Sequence, residues 1–448
     1  MVIRQPETDV SAVAADARRV LTANRQRGTS DWGGRTYSFV CPSPSVYPFQ
    51  WLWDSSFHAI ALLCVDPDLA KQELRCLLQA AQPDGFIPHM VLWEKKFHGP
   101  ALAEYSIVLA DPFYTATVQP PVLARSLWRV YQATKDRDFL LETLPAVLRF
   151  FRWLKAYRDP DDDQLIAIIQ PDESGLDASP KYDVLMQLGN LPPEQVQDAL
   201  KANMKRLFSA YAPHREDPGR LLGLDVFNWE DVMVNSIYAD GLQCLGKLCR
   251  EAGYPFAEAA EFEHRGRRVL NALEEKCWDE RAGVFWDLYG YDEQRERTLT
   301  FSCLFPLVCD SLDRHIVWRL IEEHLLNENE FWLTYPVPSV AATEPSFDPD
   351  YRTTSIWRGP TWVNVNHYLY WGLRAHGYRD IASELAKRTI QMVGRGGMRE
   401  FFNPYTAEGL GARDFAWTGL VLDLIHAEAW GCGCEHEQKS AHIEPYTR

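Results

Sequence analysis

Apolar residues recur at helical spacing along most of this chain. Between Ser55 and Ala81, the residues Phe57, Ile60, Ala61 and Cys64, then Leu74, Leu77 and Leu78, share one face, so the spacing predicts one long helix. The same period predicts helices over 10–25, 111–135, 138–157, 193–212, 230–253, 256–277, 301–310, 313–326, 362–376, 378–394 and 414–430. Asp111-Pro112 reads as a helix start, because proline is tolerated in a first turn. Gly253 and Gly377 read as helix ends, where a left-handed residue closes the last turn. Strand signals are confined to Leu165–Gln170 and Val284–Leu288. About a dozen helices arriving in sequential pairs predict an all-α fold, an (α/α)6 barrel in which inner and outer helices alternate. No strict repeat and no Gly-Ser or proline-rich linker divides the chain, so residues 1–448 read as one domain. Asp159–Asp163 is a short acidic loop rather than a boundary. The polar stretch 181–216, with Pro192, Pro193 and Pro213, breaks the pairing rhythm and reads as a lid inserted over an opening.

Composition narrows the function. The chain has 448 residues, 46% of them apolar, which is ample for a large core. Its net charge of −16 argues against nucleic-acid binding, since Arg265, Arg267 and Arg268 make only a short basic cluster that suits a solvated helix face. No segment is apolar for long enough to span a bilayer, and Met1 to Arg27 lacks a secretory apolar stretch. Most of the ten cysteines sit in apolar helical contexts, which suits reduced thiols in the cytoplasm. Cys432 and Cys434 form the one close pair; without a second pair at zinc-site spacing they predict no metal site. Assembly into a homo-oligomer is left open.

Four turn-rich segments concentrate the chemistry. Tyr47-Pro48-Phe49-Gln50-Trp51-Leu52-Trp53-Asp54-Ser55 sets two tryptophans beside a carboxylate. Asp54 could be a plain helix cap, but a cap needs no tryptophan pair, whereas stacking planes beside an acceptor of two hydroxyls suit a monosaccharide. Pro171-Asp172-Glu173-Ser174-Gly175-Leu176-Asp177 crowds three acids into one loop; taken alone, a solvated Asx-turn explains it best. Ser355-Ile356-Trp357-Arg358-Gly359-Pro360-Thr361-Trp362 brings two tryptophans and an arginine, which either pairs with a structural acid or holds a reactive carboxylate ionised. Gly396-Gly397-Met398-Arg399-Glu400-Phe401-Phe402-Asn403-Pro404, followed by Phe415-Ala416-Trp417-Thr418, adds a second isolated acid among glycines. Those glycines allow a close backbone approach or a tight turn. They are not a phosphate loop, because no Gly-Lys-Ser/Thr end follows.

Together the four segments, in this order, resemble glycoside hydrolase family 63, in particular its small bacterial members that hydrolyse mannosylglycerate and glucosylglycerate. The resemblance runs from about Tyr47 to the helix ending near Trp430. It implies the same (α/α)6 barrel and an inverting α-glycosidase acting on a small α-linked glucoside or mannoside. By the resemblance, Asp177 takes the general-acid position and Glu400 the general-base position. Trp51, Trp53, Asp54, Trp357, Arg358, Trp362 and Trp417 fall where the family lines its sugar pocket, with Tyr47 and His89 as further wall. Two positions depart: Asp172 stands where small members often carry tryptophan, and Ile356 where tyrosine is frequent. Both bear on the leaving group rather than on the bond-breaking carboxyls.

Two carboxyls across one cleft are sufficient for glycoside hydrolysis; inversion needs them roughly 6.5–9.5 Å apart, with a water between base and sugar. Neither a metal nor an organic cofactor is required. Burial and the neighbouring Glu173 are expected to keep Asp177 protonated. Lys201, Lys205, Arg206 and Arg215 in the lid segment are the cations available to an anionic glycerate. Trehalose-like or kojibiose-like glucosides are the alternative substrates. A free-sugar epimerase would use paired histidines, and His58, His89, His98 and His367 form no evident pair. A sugar-binding protein would have no use for both Asp177 and Glu400.

Overall fold

The computed structural model of the protein describes residues 8–99, 109–189 and 191–431. Six helical segments form an inner ring: Leu52–Leu62, Leu123–Thr134, Val232–Ala252, the 3-10 helix Phe301–Val308, Val363–Ala375, and Ala416–Leu420 running into Val421–Gly431. Each packs on the next, and the last packs back on the first. Around them lie Pro67–Leu78, Arg137–Arg158, Phe256–Ala272, Arg314–Arg319 with its wide turn Leu320–Leu325, Arg379–Gly396 and, completing the outer layer, Val10–Ala23. This is the (α/α)6 barrel. The two layers differ as burial requires: every residue of Leu52–Leu62 is buried, whereas Pro67–Leu78 buries one stripe through Ala70, Leu74 and Leu77. One continuous apolar cluster runs from Val13 to Leu424. No helix among the described residues is long and apolar enough to cross a membrane.

Prolines account for the main differences from the sequence pattern. The helix expected over Ser55–Ala81 is two: the first ends at Leu62 and the second begins at Pro67, capped by Asp66 accepting from the Asp68 N–H. Residues 111–122 are not helical. Asp111 accepts from the Phe113 N–H in a turn between the short strands Leu109–Asp111 and Tyr114–Thr115, and the helix starts only at Leu123, past Pro120 and Pro121. Leu165–Gln170 contributes a single bridge, Ile168 to Trp229, and Val284–Leu288 splits into two-residue strands. Cys432 and Cys434 lie outside the described residues.

The segment 181–216 does not act as one piece. Its first residues are core: Lys181 is buried with its ammonium 2.6 Å from Asp231 and 2.7 Å from Asp287, and the Tyr182 hydroxyl donates to Asp231 at 2.5 Å. Only from Pro193 does the chain rise into a surface helix, Pro193–Tyr211.

Candidate active site

A cavity of about 200 Å³ opens at the N-terminal end of the inner ring. Its floor is aromatic. Trp357 stacks on Trp362 with ring centroids 3.6 Å apart, and Trp417 meets Trp53 edge-on at 5.3 Å. Trp357 holds φ +64°, a left-handed conformation costly for a bulky residue and tolerated where packing over-determines it. The Nε1–H groups of Trp362 and Trp417 are buried without a protein acceptor, and both residues line the cavity. Such donors suit ligand hydroxyls. Asp54 sits in the first turn of Leu52–Leu62 and is buried; the cap residue is Trp51, so Asp54 is not the N-cap.

Two loops bring the separated acids to this floor. Asp177 follows the turn Pro171–Ser174. Gly175 (φ +71°) lies so close to Trp53 that a Cβ there would stand 2.3 Å from the ring. Glu173 anchors the turn: it accepts from Arg158 at 2.5 Å and from the Val118 and Ile169 N–H groups at 3.0 and 2.9 Å. Glu400 lies on Arg399–Phe402, paired antiparallel with Gly409–Arg413 across a bulge. Tyr47 donates to its Oε1 at 3.1 Å and the Ala412 N–H to its Oε2 at 2.8 Å. Gly411 (φ +64°) permits this approach, since a Cβ would come within 2.6 Å of Oε2.

Burial dominates the electrostatics. It pushes Asp177 up to about 6 and Glu400 up to about 7, the latter opposed by the Ala412 and Tyr47 hydrogen bonds and helped by the charge of Asp177. Asp54 rises well above the usual carboxylate range through burial, then the charges of Glu400 and Asp177. Asp172 rises likewise, through burial, then Asp177 and Glu173. Glu173 itself is held by Arg158, so the acid facing Asp177 within the cavity is Asp172, not Glu173 as the sequence suggested.

The match to known proteins is extensive. Residues 47–418 fit the model of the mannosylglycerate hydrolase MGH1-like glycoside hydrolase domain. A mannosylglycerate hydrolase of Thermus thermophilus is 32% identical over 86% of this chain and 95% of its own length. A glucosylglycerate hydrolase of Mycolicibacterium hassiacum is 27% identical over 86% of this chain and 93% of its own. The crystal structure of a family 63 mannosylglycerate hydrolase from Thermus thermophilus, in complex with Tris and D-glycerate, superposes with TM-score 0.80 at 29% identity. It covers 92% of this chain and 99% of that one. The chain belongs to this glycoside hydrolase family. It is an inverting α-glycosidase.

In this glycoside hydrolase the cavity brings together Tyr47, Trp51, Trp53, Asp54, His89, Trp357, Trp362 and Trp417 with Asp177 and Glu400. Arg358 is the exception. Its guanidinium turns away from the cavity and grips both oxygens of Asp183, one at 3.0 Å, tying the loop before the surface helix to the Trp357 turn. The sequence pattern passed over Gln119, Phe415 and the Leu200 and Met204 contacts of the surface helix. For the last two the signal was present, as Val196, Leu200, Met204 and Leu207 make one apolar stripe. Of the described histidines only His89 lines the cavity; His58 binds the Val40 carbonyl and His367 binds Asp423. Asp161, Asp163, Glu230 and Glu293 converge elsewhere, but Lys276 supplies their cation, 2.6 Å from Glu293 and also bonded to Asp163.

Proposed function

We propose that this protein hydrolyses a small α-linked glucoside or mannoside, with Asp177 as general acid and Glu400 as general base. The observation that carries the reading is that buried Glu400 and half-buried Asp177, from loops more than two hundred residues apart, share one tryptophan-floored cavity. The sugar ring lies against the tryptophan faces, and Asp54 accepts from its hydroxyls. Asp177 gives its proton to the glycosidic oxygen as the C–O bond breaks. Glu400 takes a proton from a water that attacks the anomeric carbon from the opposite face, so the product has inverted configuration. Burial raises Glu400 at least as far as Asp177, so the division of roles rests on the chain's likeness to its family and not on titration. Glu400 accepts from Tyr47 and Ala412, an arrangement that favours its ionised, proton-accepting form, whereas Asp177 rests on its own backbone N–H.

The relatives' names make short glycosides the first substrates to try, those of glycerate and its uncharged analogue glycerol. The cytoplasm is the compartment we propose, since the eight described cysteines are unpaired, as a reducing environment keeps them.

Glycosyl fluorides assign the roles. Fluoride leaves without a proton donor, so Asp177→Asn is expected to lose most turnover of a natural glycoside, roughly 10²–10⁴-fold, while hydrolysing the α-fluoride far better. Glu400→Gln is expected to lose both. Equal loss of both substrates in Asp177→Asn would remove the acid assignment, and NMR of the first-formed anomer checks inversion.

A further inference from the structure

Asp177 sits midway between two buried charges, four residues from each: Glu173 before it and Lys181 after it. Glu173 is fixed to the outer layer, since its partner Arg158 ends the outer helix Arg137–Arg158. Lys181 is fixed to the inner ring. Its ammonium reaches Asp231 at 2.6 Å, Asp287 at 2.7 Å and the Ser302 hydroxyl at 2.9 Å, which uses all three of its protons. Asp231 caps the inner helix Val232–Ala252 by accepting from the Val234 N–H at 3.0 Å, and Asp287 accepts from the Val232 N–H at 2.8 Å. Ser302 lies in the next inner segment, Phe301–Val308. Both segments start at the end of the ring where the cavity opens.

The acid depends on such anchors. The hydrogen bond that steadies the Asp177 carboxyl comes from its own N–H, so the carboxyl goes where the backbone goes. Between the anchors that backbone passes through left-handed Gly175 and a turn closed by the Ser179 N–H on the Leu176 carbonyl at 2.9 Å. An apolar side chain of similar volume at position 181 would hold the core as well as a buried ion pair does. It would pack with a latitude that three short, directed bonds remove. The charge of Lys181 is spent on Asp231 and Asp287, and the titration of Asp177 follows burial and its own N–H. Lys181 therefore acts through place rather than through charge.

We propose that Lys181 is a positioning residue for the general acid: by tying the Asp177 loop to the N-terminal ends of two inner segments, it sets the carboxyl at the glycosidic oxygen. This rests on the acid assignment proposed above. A misplacement of about 1 Å at a reacting group costs on the order of 10²-fold in rate. Here that cost falls only on leaving groups that need a proton. Tyr182 belongs to the same anchor, since its hydroxyl donates to Asp231 at 2.5 Å.

The test sets Lys181→Met, and Lys181→Met combined with Asp287→Asn so that one carboxylate remains at the anchor, beside Asp177→Asn. Each is assayed on the glycerate or glycerol glycoside that the wild type turns over and on the α-fluoride of the same sugar. The lysine variants are expected to lose about 10²-fold on the glycoside, in kcat more than in KM, and to keep the fluoride rate within ~3-fold of wild type. A residue that only supports the core would lower both substrates alike or neither, and either result overturns the proposal. Tyr182→Phe removes only the hydroxyl bond to Asp231; it carries the test if the lysine variants do not fold, with the same split at ~3–10-fold. Asp177→Asn separates the two readings. If it spares the fluoride while the Lys181 and Tyr182 variants show no split, positioning alone fails. If it loses both substrates, the acid assignment fails and the positioning of an acid with it.

Discussion

Glu400 is a residue the fold keeps at a cost. A carboxyl whose pKa is raised on folding binds its proton more tightly in the native state, so the native state is favoured at low pH. That advantage is lost as pH rises from the unfolded value through the native one. For Glu400 the window runs from 4.5 to about 7. Above it the ionised group destabilises the fold by up to about 3 kcal/mol, at 1.36 kcal/mol per unit. Glu400→Gln is therefore expected to raise Tm clearly at pH 8 and little at pH 4.5; calorimetry giving the same shift at both would contradict this. Asp54→Ala tests the sugar grip. Losing two hydrogen bonds to this buried carboxyl should cost roughly 10–10²-fold in kcat/KM, and unchanged kinetics would return Asp54 to a packing role. The residues of the floor were legible because their motifs are contiguous. The side-chain directions at Asp172 and Glu173 were not: these neighbours in sequence diverge, one to the cavity and one to buried Arg158, and Arg158 belongs to a different element.

At the scale of elements, the Arg358 clamp joins two loops that matter to the site. Asp183 precedes the surface helix Pro193–Tyr211, and Trp357 adjoins Arg358, so the clamp fixes the helix base against the sugar floor. Arg358→Ala leaves Asp183 mostly buried and unpaired. The expected outcome is faster limited proteolysis within 193–211 and a drop in kcat/KM, although Arg358 does not line the cavity. Unaltered cleavage and rate would show the helix to be held by its apolar stripe alone. Sequence placed this helix well, because Pro193 starts it and its stripe is regular. It misplaced the elements near Pro67 and Pro120, where apolar periodicity continued across residues that a helix interior excludes. It also gave Arg358 to the sugar pocket, since a partner 175 residues away leaves no local trace.

At the scale of the molecule, the first helix holds the last wall of the site. Val10–Ala23 packs as an outer helix against the final inner segment, and Gly419 lies where a Cβ would stand 3.0 Å from Leu21. Asn24, just past that helix, donates from one amide to the Asp414 carbonyl at 2.7 Å and the Pro42 carbonyl at 3.1 Å. Pro42 in turn accepts from the Ala416 N–H at 2.8 Å, and Pro42, Phe415 and Trp417 all line the cavity. The ring is thus closed by contacts spanning nearly the whole chain, and the floor depends on that closure. Asn24→Ala removes a buried donor and takes away the partner of the Asp414 carbonyl, at about 1–3 kcal/mol. Because Asp177 and Glu400 are held by other elements, the variant should lower Tm and raise KM more than it lowers kcat. Loss of kcat at unchanged KM would mean that closure acts on the carboxyls instead of on the tryptophan floor.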